Sequence, residues 1–214
     1  MDVLVAGGHG QIARRLMRLL AKRGHTARGL IRNPAHAADL EADGAHPVLC
    51  DLETDDVRPH VGGAYAIVYA AGAGPGSGPE RKRTVDLGGA LKCIEAAQEL
   101  GVARFLMVSS MGTRHIEAND PMQPYLQAKA EADEALEASG LGWTIVRPGR
   151  LTDEPGTTRV ELAATINRRG EIPRDDVALV LFHCLLADNT VKVSFDLLSG
   201  TIPAEAAVRS IARR

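Results

Sequence analysis

Apolar residues fall along this chain in two alternating patterns. Short, nearly continuous apolar runs at 3–6, 26–31, 46–50, 66–70, 104–108 and 143–146 have the length of buried strands. Between them the spacing changes to that of a helix. Residues 11–23 place Ile12, Leu16, Leu19 and Leu20 on one face, and 84–100 place Leu87, Leu91, Ile94 and Ala97 together. Gly24 and Gly101 stand where those two helices would stop. Strands that are apolar throughout, joined by amphipathic helices with right-handed crossovers, predict a doubly wound parallel α/β sheet covered on both faces. Ligands of such a sheet bind beyond the carboxyl ends of its strands. After Pro148 the alternation weakens into a loop, a helix from about Pro173 to Ala187, a strand at 191–195 and a last helix from Pro203. This tail, about 150–214, is too short to fold alone and is expected to form a small C-terminal cap within a single domain spanning 1–214.

Composition narrows the partners more than the fold. With 214 residues, 45% of them hydrophobic, the chain can bury a full core. Twenty-five Lys and Arg against 27 Asp and Glu leave a formal charge of -2, and the terminal Arg213-Arg214 pair is too short to alter that balance. Nothing in it calls for nucleic acid or an anionic membrane; a small-molecule substrate is the expected partner, and a homodimer is compatible with the sequence. Cys50, Cys93 and Cys184 are odd in number and far apart, which argues against a disulfide framework and points to a reducing cytoplasm. None of the seven histidines, His9, His25, His36, His46, His60, His115 and His183, has ligand spacing to another candidate, so no metal site is expected. A first strand that starts at residue 2 leaves no room for a signal peptide, and no apolar stretch is long enough to span a bilayer.

The candidate chemistry begins at Gly7-Gly8-His9-Gly10-Gln11-Ile12-Ala13, directly after the first strand. Gly7 permits a sharp exit from the strand, Gly10 lets backbone approach a pyrophosphate, and Ala13 lets the helix pack closely on the sheet. The helix N-terminus then offers unpaired N–H groups to the phosphates. Glycine-rich turns also join strands to helices with no ligand present, so the end of the second strand matters. It reads Ile31-Arg32-Asn33-Pro34, with no acid for a ribose 2′-hydroxyl; Arg32 suits a 2′-phosphate, which favours NADP over NAD, unless it is simply a solvated arginine. Asp51, after the third strand, is placed to accept from an adenine amino group or to cap a local turn.

A second constellation is Tyr125-x-x-x-Lys129, whose i,i+4 spacing puts phenol and ammonium on one face of a helix. That helix follows the strand ending Val108-Ser109-Ser110, so hydroxyl, phenol and ammonium can converge. A phenol is a poor acid near neutrality unless a neighbouring cation stabilises its phenolate. Lys129 is positioned for that, Tyr125 to protonate a carbonyl oxygen as hydride arrives, and Ser110 to hold that oxygen, with Ser109 or Thr113 as alternative hydroxyls. Two further features are ambiguous. The segment 71–79, rich in glycine, is a flexible connector or a loop that orders over ligand, and Arg81-Lys82-Arg83 is a solvated face or a contact for an anionic substrate or phosphate.

The glycine turn, Ser109-Ser110 and Tyr125-x-x-x-Lys129 occur in the order seen in the short-chain dehydrogenase/reductases, and the resemblance covers most of the chain. Arg32-Asn33-Pro34, the run from Val102 to Met111 and the run from Trp143 to Gly149 resemble the atypical branch that holds NmrA-like and biliverdin-reductase-B-like proteins. The resemblance implies a Rossmann-type fold that binds NAD(P) and an oxidoreductase. By position it implies that Gly7, Gly10 and the backbone near His9, Gln11 and Ile12 hold pyrophosphate, and that Arg32 meets the 2′-phosphate. It further implies Asp51 and Leu52 at the adenine, and Ala70, Ala71 and Gly72 on the adenosine ribose side. Ser109, Tyr125, Lys129 and the Pro148-Gly149 turn would surround the nicotinamide. Some atypical members bind the dinucleotide as redox sensors without turnover, usually lacking the tyrosine that this chain retains. Epimerases and dehydratases of the extended branch carry a larger C-terminal substrate domain, for which this chain lacks the length.

Overall fold

A computed structural model describes residues 1–74, 76–114, 116 and 121–212. Pro75 of the glycine-rich loop, His115 and the Arg213-Arg214 pair lie outside the described residues. Strand β1 (Asp2–Ala6) leads into helix α1 (Gln11–Lys22), followed by β2 (Thr26–Ile31), α2 (Ala37–Ala42), β3 (His46–Leu49), α3 (Arg58–Val61) and β4 (Ala66–Tyr69). A continuous helix then runs as α4 (Pro79–Arg81), a π-helical stretch (Lys82–Gly89) and α5 (Ala90–Glu99). Next come β5 (Arg104–Val108), α6 (Gln123–Ala138) and β6 (Trp143–Pro148). The remainder forms β7 (Arg150–Thr152), β8 (Arg159–Ala163), β9 (Glu171–Pro173), α7 (Arg174–Leu185), β10 (Val193–Ser199), β11 (Ile202–Pro203) and α8 (Ala204–Arg209).

The main sheet has the order β11-β8-β10-β6-β5-β4-β1-β2-β3. From β3 through β10 every neighbouring pair is parallel; β8 joins β10 and β11 antiparallel. This is the doubly wound Rossmann-type α/β architecture expected from the alternation. Strand β1 shows why its residues are apolar on both sides. Val3 and Val5 belong to one core with Leu16, Met17 and Leu20 of α1 and Val177 and Leu181 of α7, while Leu4 and Ala6 belong to the other with Cys93, Ile94 and Ala97 of α5 and Ala128, Ala132 and Leu136 of α6. The chain leaves β1 for β2 on one side and returns to β4 on the other, so the crevice beyond the carboxyl end of β1 is the switch point of the sheet.

Beyond Pro148 the chain extends the sheet, where a small cap beside it was expected. Strand β10 extends the parallel ladder on β6, pairing Val193 with Thr144 through Leu197 with Pro148, and β8 and β11 complete the edge. Its register differs from the expected 191–195 because the strand begins only after Lys192, which holds a positive φ of 60°. Three buried free thiols, Cys50, Cys93 and Cys184, sit inside this frame. No helix among the described residues is long and apolar enough to cross a membrane.

Candidate functional site

The glycine turn forms a cradle at the switch point. Gly7 adopts φ +81°, and a Cβ there would stand 2.6 Å from the Ala71 Cα, so only glycine lets the turn rest on the segment that follows β4. The Gly8 N–H donates to the Leu30 carbonyl at 2.8 Å and the Gly10 N–H to the Gly7 carbonyl at 2.8 Å, which locks the loop. Gly10 is the N-cap of α1, and α1 has neither a side-chain cap nor an acid in its first turn. The N–H groups of Gln11, Ile12 and Ala13 therefore lack intrahelical acceptors, at the positive end of the helix dipole. A Cβ at Gly10 would meet the Gly7 carbonyl at 3.0 Å; the cradle fits a diphosphate approaching backbone. The His9 side chain points away from the turn: its Nε2 is 2.7 Å from Asp39 Oδ2, and its ring stacks on His36 at 3.6 Å. It ties the turn to α2, and the His9 bond, helped by Arg14, holds the Asp39 carboxyl below the usual carboxylate range.

Arg32 is exposed just past β2, with Nη1 3.7 Å from Glu53 Oε2. Asp51 is engaged locally: its Oδ1 accepts from the Glu53 N–H at 3.0 Å and its own N–H donates to Asp55 at 2.7 Å. Leu52 is buried. Lys92 of α5 props this turn from behind, donating to the Leu52 and Glu53 carbonyls at 3.0 Å and to the Asp55 carbonyl at 3.3 Å. Glu53 also accepts from Arg81 Nη2 and from the Thr84 hydroxyl, each at 2.7 Å. Those bonds hold its carboxyl below the usual range, with Arg81 the largest cause and Thr84 next.

The Tyr125 and Lys129 pair lies in the first turns of α6, and the two side chains have different surroundings. Lys129 is buried: its Nζ donates to the Val108 carbonyl at 3.1 Å and the Ala71 carbonyl at 3.3 Å, and stands 3.5 Å from Asp86 Oδ1. Asp86 is fully buried on the π-helical stretch, and its other oxygen accepts from the Ala73 N–H at 3.1 Å. Tyr125 is half-buried, and the cation over its ring is Lys82, 5.3 Å from the centroid, whose Nζ also donates to the Gly74 carbonyl at 2.7 Å. The two serines divide as well. Ser109 is buried and donates to Asp133 Oδ2 at 2.9 Å, an oxygen that also accepts from Arg147 Nε at 3.0 Å. Burial pushes the Asp133 carboxyl up to about 6, against the opposing pull of Arg147 and Ser109. Ser110 is half-buried, its hydroxyl donating to the Met111 carbonyl at 3.1 Å, and Thr113 donates to the Ser110 carbonyl. Pro148 ends β6, and its carbonyl accepts from the Met111 N–H at 3.1 Å.

Ala71 joins these two halves. Its Cα abuts Gly7, and its carbonyl receives Lys129, so the glycine turn and the Tyr125 helix meet at one residue beyond the sheet edge. The NAD(P)H-binding family matches this chain over residues 7–188, which spans both halves. The chain belongs to the NAD(P)H-binding family. It is similar to the uncharacterized sugar epimerase YhfK of Bacillus subtilis (strain 168), 41% identical over 215 residues that cover 99% of this chain and all of that protein. A structure described as a putative NAD-dependent epimerase/dehydratase from Bacillus halodurans superposes with a TM-score of 0.93 at 36% identity, covering 97% of this chain and 98% of that one. A wide-type short-chain dehydrogenase/reductase from Veillonella parvula DSM 2008, in complex with NADP, shares the fold at a TM-score of 0.76 and 18% identity, covering 94% and 96%.

Within this family member, the groups that sequence reasoning missed are Glu53, Asp86, Lys92 and Asp133. Each is an ordinary charged residue in its local sequence and acquires its role only through a partner far along the chain. For Asp86 the available signal was an acid set between two apolar neighbours, Val85 and Leu87, and all three are buried in the structure.

Proposed function

We propose that the protein is an NADP(H)-dependent oxidoreductase that reduces a small carbonyl or conjugated acceptor, with Tyr125 as the proton donor. The observation that carries this reading is the junction at Ala71, which brings a phosphate-binding turn and a Tyr-x-x-x-Lys helix to one edge. Gly7, Gly10 and the free N–H groups of Gln11 and Ile12 bind the diphosphate, and Arg32 together with the missing acid at the end of β2 supports the 2′-phosphorylated cofactor. The bound nicotinamide supplies the hydride. Tyr125 then donates its phenolic proton to the substrate oxygen, and Ser110 hydrogen-bonds that oxygen as negative charge develops. Lys129 serves as the electrostatic partner from the buried side, with its charge partly balanced by Asp86, and Lys82 adds a cation over the ring.

The test is turnover. Reduced cofactor should be consumed with at least one member of a panel of quinones, aldehydes and linear tetrapyrroles, and Tyr125→Phe should abolish this while binding NADPH normally. Tight NADPH binding with no turnover across the panel would replace the reductase with a redox sensor. Two relatives have epimerase in their names, and a panel of nucleotide sugars tests that chemistry here. Against it, the residues after Pro148 extend the sheet edge with β8, β10 and β11, form the small β7–β9 pair and cover the sheet with α7 and α8.

A further inference from the structure

Three segments remote in sequence bring charged groups together at the adenosine end: Arg32 after β2, Glu53 in the turn after β3, and Arg81 at the end of α4. Both guanidiniums address the same oxygen of Glu53, Arg81 at 2.7 Å and Arg32 at 3.7 Å, while Thr84 occupies the other oxygen at 2.7 Å. The carboxylate is held firmly. Its backbone N–H is bound by Asp51 and its carbonyl by Lys92, and its side chain is only 24% exposed. The arginines are the movable members, at 56% and 39% exposure on long side chains.

We infer that Arg81 is a second ligand of the cofactor's 2′-phosphate and that Glu53 opposes that phosphate, so that Glu53 sets how strongly NADP is preferred over NAD. This rests on the NADP(H) reading above. Two guanidiniums and one carboxylate leave the cluster with a net charge of about +1, and a phosphomonoester near -2 is a better match for two planar forks than one carboxylate is. The incoming phosphate must therefore take Arg32 and Arg81 over from Glu53, or share them with it. Because Glu53 stays in place on its rigid turn, its negative charge remains within reach of the phosphate and lowers the gain from it. A ribose with a free 2′-hydroxyl meets no such repulsion, and Glu53 can accept its hydrogen bond. The acid absent from the end of β2 is thus supplied from the turn after β3. Within the Arg81-Lys82-Arg83 run the three side chains diverge: Lys82 covers Tyr125, Arg83 pairs with Glu131 and Arg81 alone reaches back to the carboxylate contributed from beyond β3.

The experiment compares the intact protein with Arg32→Ala, Arg81→Gln, Arg81→Lys and Glu53→Gln by calorimetric titration with adenosine 2′,5′-bisphosphate and with adenosine 5′-monophosphate, with NADPH and NADH as full-length checks. The ratio of the two affinities measures recognition of the 2′-phosphate and cancels any general loosening of the turn. Arg81→Gln should lower the ratio about tenfold, as expected for one charge-assisted contact, with the monophosphate affinity unchanged, and Arg81→Lys should keep part of it. Glu53→Gln should raise the ratio by roughly threefold or more. The inference is overturned if Arg81→Gln and Glu53→Gln leave the ratio unchanged while Arg32→Ala abolishes it, or if Arg81→Gln weakens both ligands equally; in either case the NADP(H) reading survives. Equal affinity of the unaltered protein for the two adenosine ligands overturns both.

Discussion

Replacing Lys129 by methionine removes the residue that sequence reasoning places beside the reacting phenol, and its largest effect should be on folding. The ammonium meets two carbonyls, of Val108 and Ala71, and the Asp86 carboxylate at 3.5 Å. Asp86 is 0% exposed, and among the described residues its Oδ1 has no hydrogen-bond partner, so Lys129 is the cation that offsets the burial of this acid. Removing one member of a buried pair leaves the other uncompensated, at a cost of ~3–5 kcal/mol. Adding Asp86→Asn to Lys129→Met removes the stranded charge while an amide oxygen can still accept from the Ala73 N–H; at least ~2 kcal/mol of the loss should return. Urea unfolding of the four proteins of this double-mutant cycle measures the coupling directly. A cost below ~1 kcal/mol for Lys129→Met, or no recovery in the double variant, would refute the idea that the pair is held together by mutual compensation. The cycle also serves the chemistry: turnover by the double variant, once stability is restored, reports what the ammonium contributes at Tyr125 apart from its structural role.

Asp133 provides a pH test. Its folded carboxyl titrates near 6 against an ordinary value of 3.8, so in that window the folded chain holds more protons than the unfolded one and this group's contribution to stability falls as pH rises. The difference in unfolding free energy between the unaltered protein and Asp133→Asn should therefore shift by ~3 kcal/mol in favour of the unaltered protein as pH is lowered from about 6.5 to about 3.5; a flat difference curve would contradict the assignment. Gly7→Ala forces a Cβ to 2.6 Å from the Ala71 Cα at a φ of +81° and should cost at least ~2 kcal/mol and weaken NADPH binding, which an unchanged melting temperature would disprove.

The parts of this molecule that could be read from sequence are those governed by a repeat along the chain. Strand β5 lies where its apolar run put it, at Arg104–Val108, because a central parallel strand is buried on both faces. The glycine turn after β1 was legible because left-handed backbone and close approach demand glycine. Periodicity reports that a side chain is buried, not which group it meets. Spacing correctly put Tyr125 and Lys129 on neighbouring turns of one helix, yet the cations and acids that surround them, Lys82 and Asp86, come from the segment after β4. Ser109 and Ser110 are adjacent and chemically alike, and only the partner beneath, Asp133, separates a buried structural hydroxyl from the more accessible one. Strand β8 escaped notice because its burial is uneven, with Val160 alone fully enclosed, so its sequence lacks the solid apolar run of a central strand.

The π-helical stretch Lys82–Gly89 acts as a phase adjuster between two faces of one long helix. An α-helix turns by about 100° per residue, so the residues that α5 sends into the core would by themselves dictate where everything upstream points. Wider turns relax that linkage. Ala90, Cys93, Ile94 and Ala97 keep their seats against the sheet, while Arg81 and Thr84 independently reach Glu53, Lys82 covers Tyr125 and Asp86 turns inward to Lys129. Shortening this stretch by one residue would rotate Arg81 and Lys82 away from Glu53 and Tyr125 and, in the same step, unseat Val85, Asp86 and Leu87 from the core, so that folding and the charged neighbours of the phenol would be lost together.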